Sequence, residues 1–151
     1  MGLKIYLPLA LVAFVAATTG ADLFARTSIG GETIANALND HLYYALVQWL
    51  GTLFLLMPFV AVAFICAAVE TRARTRSAVA IFGVGMLTLL YFYFVGHQDA
   101  QHALLAQRWT AAALSIGLLP FFVGVPVVAA AVVAGVIAAG IDRRPADLVR
   151  D

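Results

Sequence analysis

A chain of 151 residues that is 64% hydrophobic and only 11% charged departs strongly from soluble domains, which average about 45–50% apolar and about 25% charged residues. A soluble fold of this size has too little interior to hide so much apolar surface, so lipid is its natural solvent. The formal net charge of +1 leaves no electrostatic footprint for nucleic acid, and a single cysteine, Cys66, excludes both an intrachain disulfide and a cysteine-built zinc site.

Four stretches contain no Asp, Glu, Lys, Arg or His: residues 5–21, 42–69, 77–96 and 109–141. A span needs about 20 apolar residues, which the last three exceed. The first is shorter, but Lys4 can snorkel and extend it to Leu3, giving an expected span over 3–21 with Pro8 in its early turns. Lys4, the apolar run and Thr19-Gly20-Ala21 also have the form of a cleavable signal peptide. The retained span is the reading adopted. Residues 22–33, ending near Gly30-Gly31, are expected to form a loop.

The next segment, ETIANALNDHLYYALVQW, is amphipathic at helical spacing. Ile34, Leu38, Leu42, Ala45 and Trp49 lie on one face, and Glu32, Asn36, Asn39, Asp40 and Tyr43 on another. A second span is expected over 34–69. Unbroken from Glu32 to Val69 it would extend about 57 Å against a hydrocarbon core of about 30 Å. It must therefore project above the membrane or bend near Gly51 or Pro58. Tyr43, Tyr44 and Trp49 suit the aromatic belt either way.

After a loop at 70–76, the third span is expected over 77–96, closing on a second aromatic belt, YFYF at 91–94. Residues 97–108 then form a polar loop, and Trp109 opens a fourth span over 109–141. Counted from Ala103 as one helix, that last run would be about 58 Å long, so a kink is expected around Pro120 and Pro126. Residues 142–151 form a charged tail. The fold class is thus an all-α integral membrane protein, one domain of four transmembrane helices in an antiparallel bundle, with helices 2 and 4 long and extended or bent at the outer face.

Lys4, Arg72, Arg74, Arg76, Arg143, Arg144 and Arg150 fall on one side of this four-span arrangement, and only Arg26 and Arg108 on the other. The positive-inside rule then puts both ends of the chain and ETRARTRS in the cytoplasm, with a bacterial inner membrane as the expected location. The stretch GHQDAQHALLAQRW faces outward.

Candidate chemistry concentrates on that outer side. Asp40, His41, His97, Asp99 and His102 are the candidate acid–base or catalytic groups, and His97, Asp99, His102 and His41 the candidate metal ligands, because neutral imidazole and carboxylate suit zinc, iron or copper. Spacing is against a local metal site: His97 and His102 fall about 140° apart around a continuous helix. Asp99 and His102 do share a face. The same residues otherwise serve as a solvated interfacial surface. A haem held between His41 and His97 would need both histidines inside the bundle, and both lie near its rim. No phosphate loop, nucleophile elbow or HExxH is present. The apolar interior offers only neutral polar groups such as Gln48, Thr52, Thr88 and Ser115, which disfavours ion-coupled transport. Thr52 and Thr88 are expected to bond their own helices. No cofactor is assigned from these residues.

Ala131, Gly135 and Ala139 recur at four-residue spacing in VVAAAVVAGVIAAG. In lipid such small residues let helices approach closely, either within the chain or as a seam to a second copy or a membrane partner. The resulting functional expectation is a small subunit or accessory component of a membrane assembly, with the outer polar cap contacting a partner or lipid headgroups.

Four spans in a chain of this length, with polar residues opening a long second helix, also resemble the MAPEG family of glutathione-dependent membrane enzymes. That resemblance implies a trimeric four-helix bundle, with glutathione held by Asn36, Tyr91, Tyr93 and Arg108. The chain departs from the family's Asn-x-x-Glu pattern in having Asn39 at the acidic position, and it lacks the arginine before Asn36.

Overall fold

A computed structural model describes residues 2–147, and their side chains as far as Asp142. Arg143, Arg144 and Arg150, three of the residues behind the expected orientation, lie outside the described side chains. All the regular structure among the described residues is helical. Four segments are long and apolar enough to cross a membrane: Leu3–Ser28, Trp49–Glu70, Thr75–Leu105 and Trp109–Asp142.

The first segment is longer than the sequence implied. α1 (Leu3–Val15) passes through a π turn (Ala16–Gly20) straight into α2 (Ala21–Ser28), so most of the stretch expected as a loop at 22–33 is helix. Asp22 and Arg26, four residues apart, pair across one turn with Nε 3.1 Å from Oδ2, the spacing at which opposite charges support a helix. The helix stops at Gly30-Gly31, where Gly31 takes a positive φ of 70°, open to glycine without strain.

α3 (Ile34–Val47) starts on Thr33, whose hydroxyl accepts from the Asn36 amide, as an N-cap does. It is separated from α4 (Trp49–Glu70) by a break at Gln48 (φ −105°, ψ 39°). The break falls three residues before Gly51 and ten before Pro58, the two expected bend points. Thr52 Oγ bridges it, donating to the carbonyls of Ala45 and Gln48.

α5 (Thr75–Leu105) does not end at Gly96 but runs on through the segment expected as a loop at 97–108. Gly96 is a packing point, not a stop: a Cβ there would lie 2.9 Å from Leu119 Cδ1 and 3.2 Å from the Ser115 carbonyl. The turn after α5 contains Gln107 at φ 57°. α6 (Trp109–Gly117) then ends at Leu118, and a π turn (Pro120–Gly124) leads into α7 (Val125–Asp147). This is where the over-long last run divides. Pro120 cannot donate a backbone hydrogen bond, and its ring crowds the preceding turn.

The core lies where α1, α4, α5 and α7 meet. Tyr6 stacks obliquely on Phe82 (5.0 Å between centroids), and Phe59 meets both Phe14 (5.6 Å) and Tyr93 (5.1 Å) edge-on. Such contacts add about 0.5–1.5 kcal/mol each beyond burial. Tyr93 is fully buried, and its hydroxyl donates to the Leu55 carbonyl at 3.0 Å. That carbonyl lies on the turn that Pro58 loosens. Tyr93→Phe is accordingly expected to lower stability by about 1 kcal/mol, read as a lower unfolding midpoint in detergent with the helix content unchanged.

Small residues draw the helices together. A Cβ on Gly124 would strike the Pro58 ring, and one on Gly135 would strike Val69. Ala131 and Gly135 are buried and Ala139 is half-buried, and of this stripe Gly135 packs against Val69 of α4. Thr88 and Ser115 donate to carbonyls four residues back, Val84 and Ala111, as their place in apolar helices requires.

One end of the molecule is tied by backbone amides and carboxylates: Gly2 N–H donates to Glu70, and Arg74 N–H donates to Asp142 at 2.8 Å, with Ser77 Oγ on the same oxygen at 3.2 Å. The opposite end gathers polar side chains from α2, α3 and α5.

Candidate functional site

Asp22 is the hub. Its Oδ2 lies 2.9 Å from His41 Nδ1 and 3.1 Å from Arg26 Nε. The other ring nitrogen of His41, Nε2, lies 3.0 Å from Thr19 Oγ. Arg26 turns its Nη1 toward Glu32 and Asp40, 3.6 Å from a carboxylate oxygen of each. The Asp22, Arg26 and His41 side chains are each at most 17% exposed, so this is a partly buried ionic network.

Local structure explains the convergence. Thr19, Asp22 and Arg26 come from the single segment that passes from the π turn into α2, where positions three or four apart stack on one face. A π turn adds a residue to the helical repeat and rotates the residues beyond it. Asp40 and His41 come from α3, which returns beside α2 after the Gly30-Gly31 turn. Thr18 and Thr27 donate to the carbonyls four residues back, Phe14 and Leu23, whereas Thr19 faces the imidazole of another helix.

The bonding partners constrain the proton positions. A carboxylate beside Arg26 can only accept, so His41 Nδ1–H donates to Asp22. With a neutral ring, Nε2 is then an acceptor, and the Thr19 hydroxyl donates to it. The order hydroxyl, imidazole, carboxylate is that of a nucleophile, a base and the group that orients the base.

α5 closes one side of the network. His97 and Gln101 are buried, and His97 Nδ1–H donates to the Tyr93 carbonyl at 2.8 Å. His97 lies within electrostatic reach of Asp22, His41 and Arg26. Gly30 allows the turn to settle on α5: a Cβ there would come within 2.6 Å of Gln101 Nε2.

The five residues singled out from the sequence therefore separate. Asp40 and His41 join the network, His97 lies buried beside it, and Asp99 and His102 are exposed on another face of α5. Among the described residues no three His, Cys, Asp or Glu side chains gather as a metal-holding group, so His41, His97, Asp99 and His102 are not brought together as ligands. The residues implied by the glutathione resemblance also part company. Tyr93 is buried with its hydroxyl on Leu55, while Asn36 on α3, Tyr91 on α5 and Arg108 before α6 are exposed. Thr19, Asp22 and Arg26 were missed by sequence reasoning, although the i,i+4 spacing of Asp22 and Arg26 was available as a signal.

Two apolar surfaces border the helices. One is a shallow strip on a single face of the first segment, from Leu11 to Leu23, and includes Val12, Val15 and Thr19. The other, a groove of about 660 Å3, lies between α5 and α7 and is lined by small residues such as Gly85, Ala130 and Ala134, with Thr88 and Phe122.

No protein-family model, no curated protein and no solved structure matches this chain.

Proposed function

We propose that this protein is a small polytopic membrane protein that acts as an accessory or scaffold component of a membrane assembly and meets its partner through the outer cap, chiefly α3. The observation that carries this reading is the exposure of α3. Only Ala37 is buried, whereas Ile34 and Leu46 are 70% and 77% exposed and Leu42, Tyr43 and Tyr44 are at least half exposed. A helix with one apolar face and little packing of its own belongs at an interface, whether with headgroups or with protein. Ion pairs to Asp40 and His41 hold α3 by one side and leave those apolar residues outward.

The four apolar segments support residence in a membrane, and the arginines at 72, 74 and 76 support a cytoplasmic position for the α4–α5 turn. In a bacterial inner membrane both ends of the chain would then face the cytoplasm. Tyr43, Tyr44, Trp49 and Trp109 are all at least half exposed, as belt residues at the outer headgroups should be.

The test is extraction into native lipid discs. The wild-type chain is expected in an assembly of fixed stoichiometry, and Leu46→Glu on α3 is expected to reduce that assembly about tenfold, the effect of about 1.4 kcal/mol of lost contact. The helix content should stay unchanged. A chain recovered alone and monomeric would overturn the reading. In the same membranes, Ser28→Cys is expected to react with an impermeant thiol reagent from outside and Arg72→Cys only after permeabilisation. The reverse pattern would invert the orientation.

A further inference from the structure

Thr19, His41 and Asp22 form a hydroxyl–imidazole–carboxylate line. Arg26 is a counter-ion of Asp22 at 3.1 Å, but the same guanidinium also faces Glu32 and Asp40 at 3.6 Å. His41 adds an imidazole whose Nε2 lies 3.0 Å from a hydroxyl, a base whenever the ring is neutral, with its other nitrogen fixed by the carboxylate. This polarity is required if a hydroxyl is to be activated as a nucleophile.

The surroundings indicate the substrate class. Thr19 is half-buried and belongs to the exposed apolar strip on one face of the first helical segment, from Leu11 to Leu23. As helix that interval extends about 18 Å, so the strip runs from the apolar middle of the segment to the polar network at its end. A long-chain acyl group laid along Val12 and Val15 would place its carbonyl carbon at the Thr19 end. The strip carries no charged residue, which suits hydrocarbon.

We propose that Thr19, His41 and Asp22 form a hydrolytic triad for long-chain acyl esters that lie along this strip. Thr19 Oγ attacks the ester carbonyl carbon, and its proton passes to His41 Nε2. The imidazolium is held by Asp22, which Arg26 keeps in place. As the tetrahedral adduct collapses, the carbon–oxygen bond to the alcohol breaks, and His41 returns the proton to the departing alkoxide. Water then adds to the acyl–Thr19 ester with His41 again as base, releasing the carboxylic acid and regenerating the hydroxyl. No oxidant, metal or cofactor enters the balance. The proposal is independent of α3 docking to a partner, since a lone chain would carry the whole triad.

The test uses the full chain in detergent micelles with two probes, hexadecyl fluorophosphonate and para-nitrophenyl palmitate. Peptide mapping is expected to find the phosphonyl adduct on Thr19. Ester turnover and labelling are expected to fall at least roughly hundredfold in Thr19→Val and in His41→Gln. Thr19→Ser should restore both, and Thr18→Val should change neither. Because His41→Gln risks loss of the fold, the near-isosteric pair Thr19→Val and Thr19→Ser carries the decision. An absent adduct on the native chain, an adduct that persists in Thr19→Val, or equal turnover by Thr19→Val and wild type would each overturn the assignment.

Discussion

Asp22→Ala is expected to destabilise the fold by about 2–3 kcal/mol, more than any other single change to a polar side chain at that end of the molecule. The carboxylate is shared by Arg26 and His41 at 3.1 and 2.9 Å, and both partners are mostly shielded from water. Removing one member of a buried ionic set leaves the other unpaired, at about 3–5 kcal/mol when burial is complete. The residual exposure of these side chains lowers the figure. The loss is to be read as a shift in the unfolding midpoint in detergent and as faster cleavage by protease in residues 29–34, since α3 is held largely through Asp40 and His41. Asp22→Ala combined with Arg26→Leu should be less stable than Asp22→Ala alone, because Arg26 also pairs with Asp40 and so helps to hold α3. Asp99→Ala, an exposed change on α5, should stay within about 0.5 kcal/mol of wild type. Equal effects for Asp22→Ala and Asp99→Ala would mean that the network contributes nothing to holding α3.

Gly135→Leu should cost about 3 kcal/mol, the upper part of the range for overpacking a filled site. Even the first added carbon would collide with a Val69 methyl. Val69 is β-branched and lies within α4, so it has essentially one χ1 rotamer and cannot swing aside. Val69→Ala is expected to be destabilising alone and yet to rescue Gly135→Leu by at least half, a coupling that a double-mutant cycle reads directly. If Gly135→Leu is neutral, α7 does not lie against α4 at that point. In lipid, where apolar side chains gain little by leaving the solvent, such close backbone approach is the main source of helix–helix attraction, which is why one side chain carries so large an effect.

The four apolar segments were legible from residue type alone, because no other solvent accommodates uninterrupted runs of that length. The division of the last run around Pro120 was legible too, since proline has one backbone consequence whatever surrounds it. Helix ends were not. Gly96 and the Thr19-Gly20-Ala21 stretch have the composition of a terminus, and in each case the helix continues because a glycine or small residue meets a neighbouring helix or a π turn absorbs the irregularity. Those two misplaced ends hid the network. Once residues 22–33 are read as a loop, Asp22 and Arg26 lose their shared face, and Thr19 loses its place opposite His41. The five outer residues in GHQDAQHALLAQRW and NDHL stand out by titratability, which says what a side chain can do but not which way its helix turns it.

The carboxylate of Asp142 bears on biosynthesis. It accepts from Arg74 N–H and Ser77 Oγ, groups made some 65 residues earlier at the start of α5. A nascent chain halted before Asp142 lacks this acceptor, so the α4–α5 turn is completed only once the last helix is made and in place.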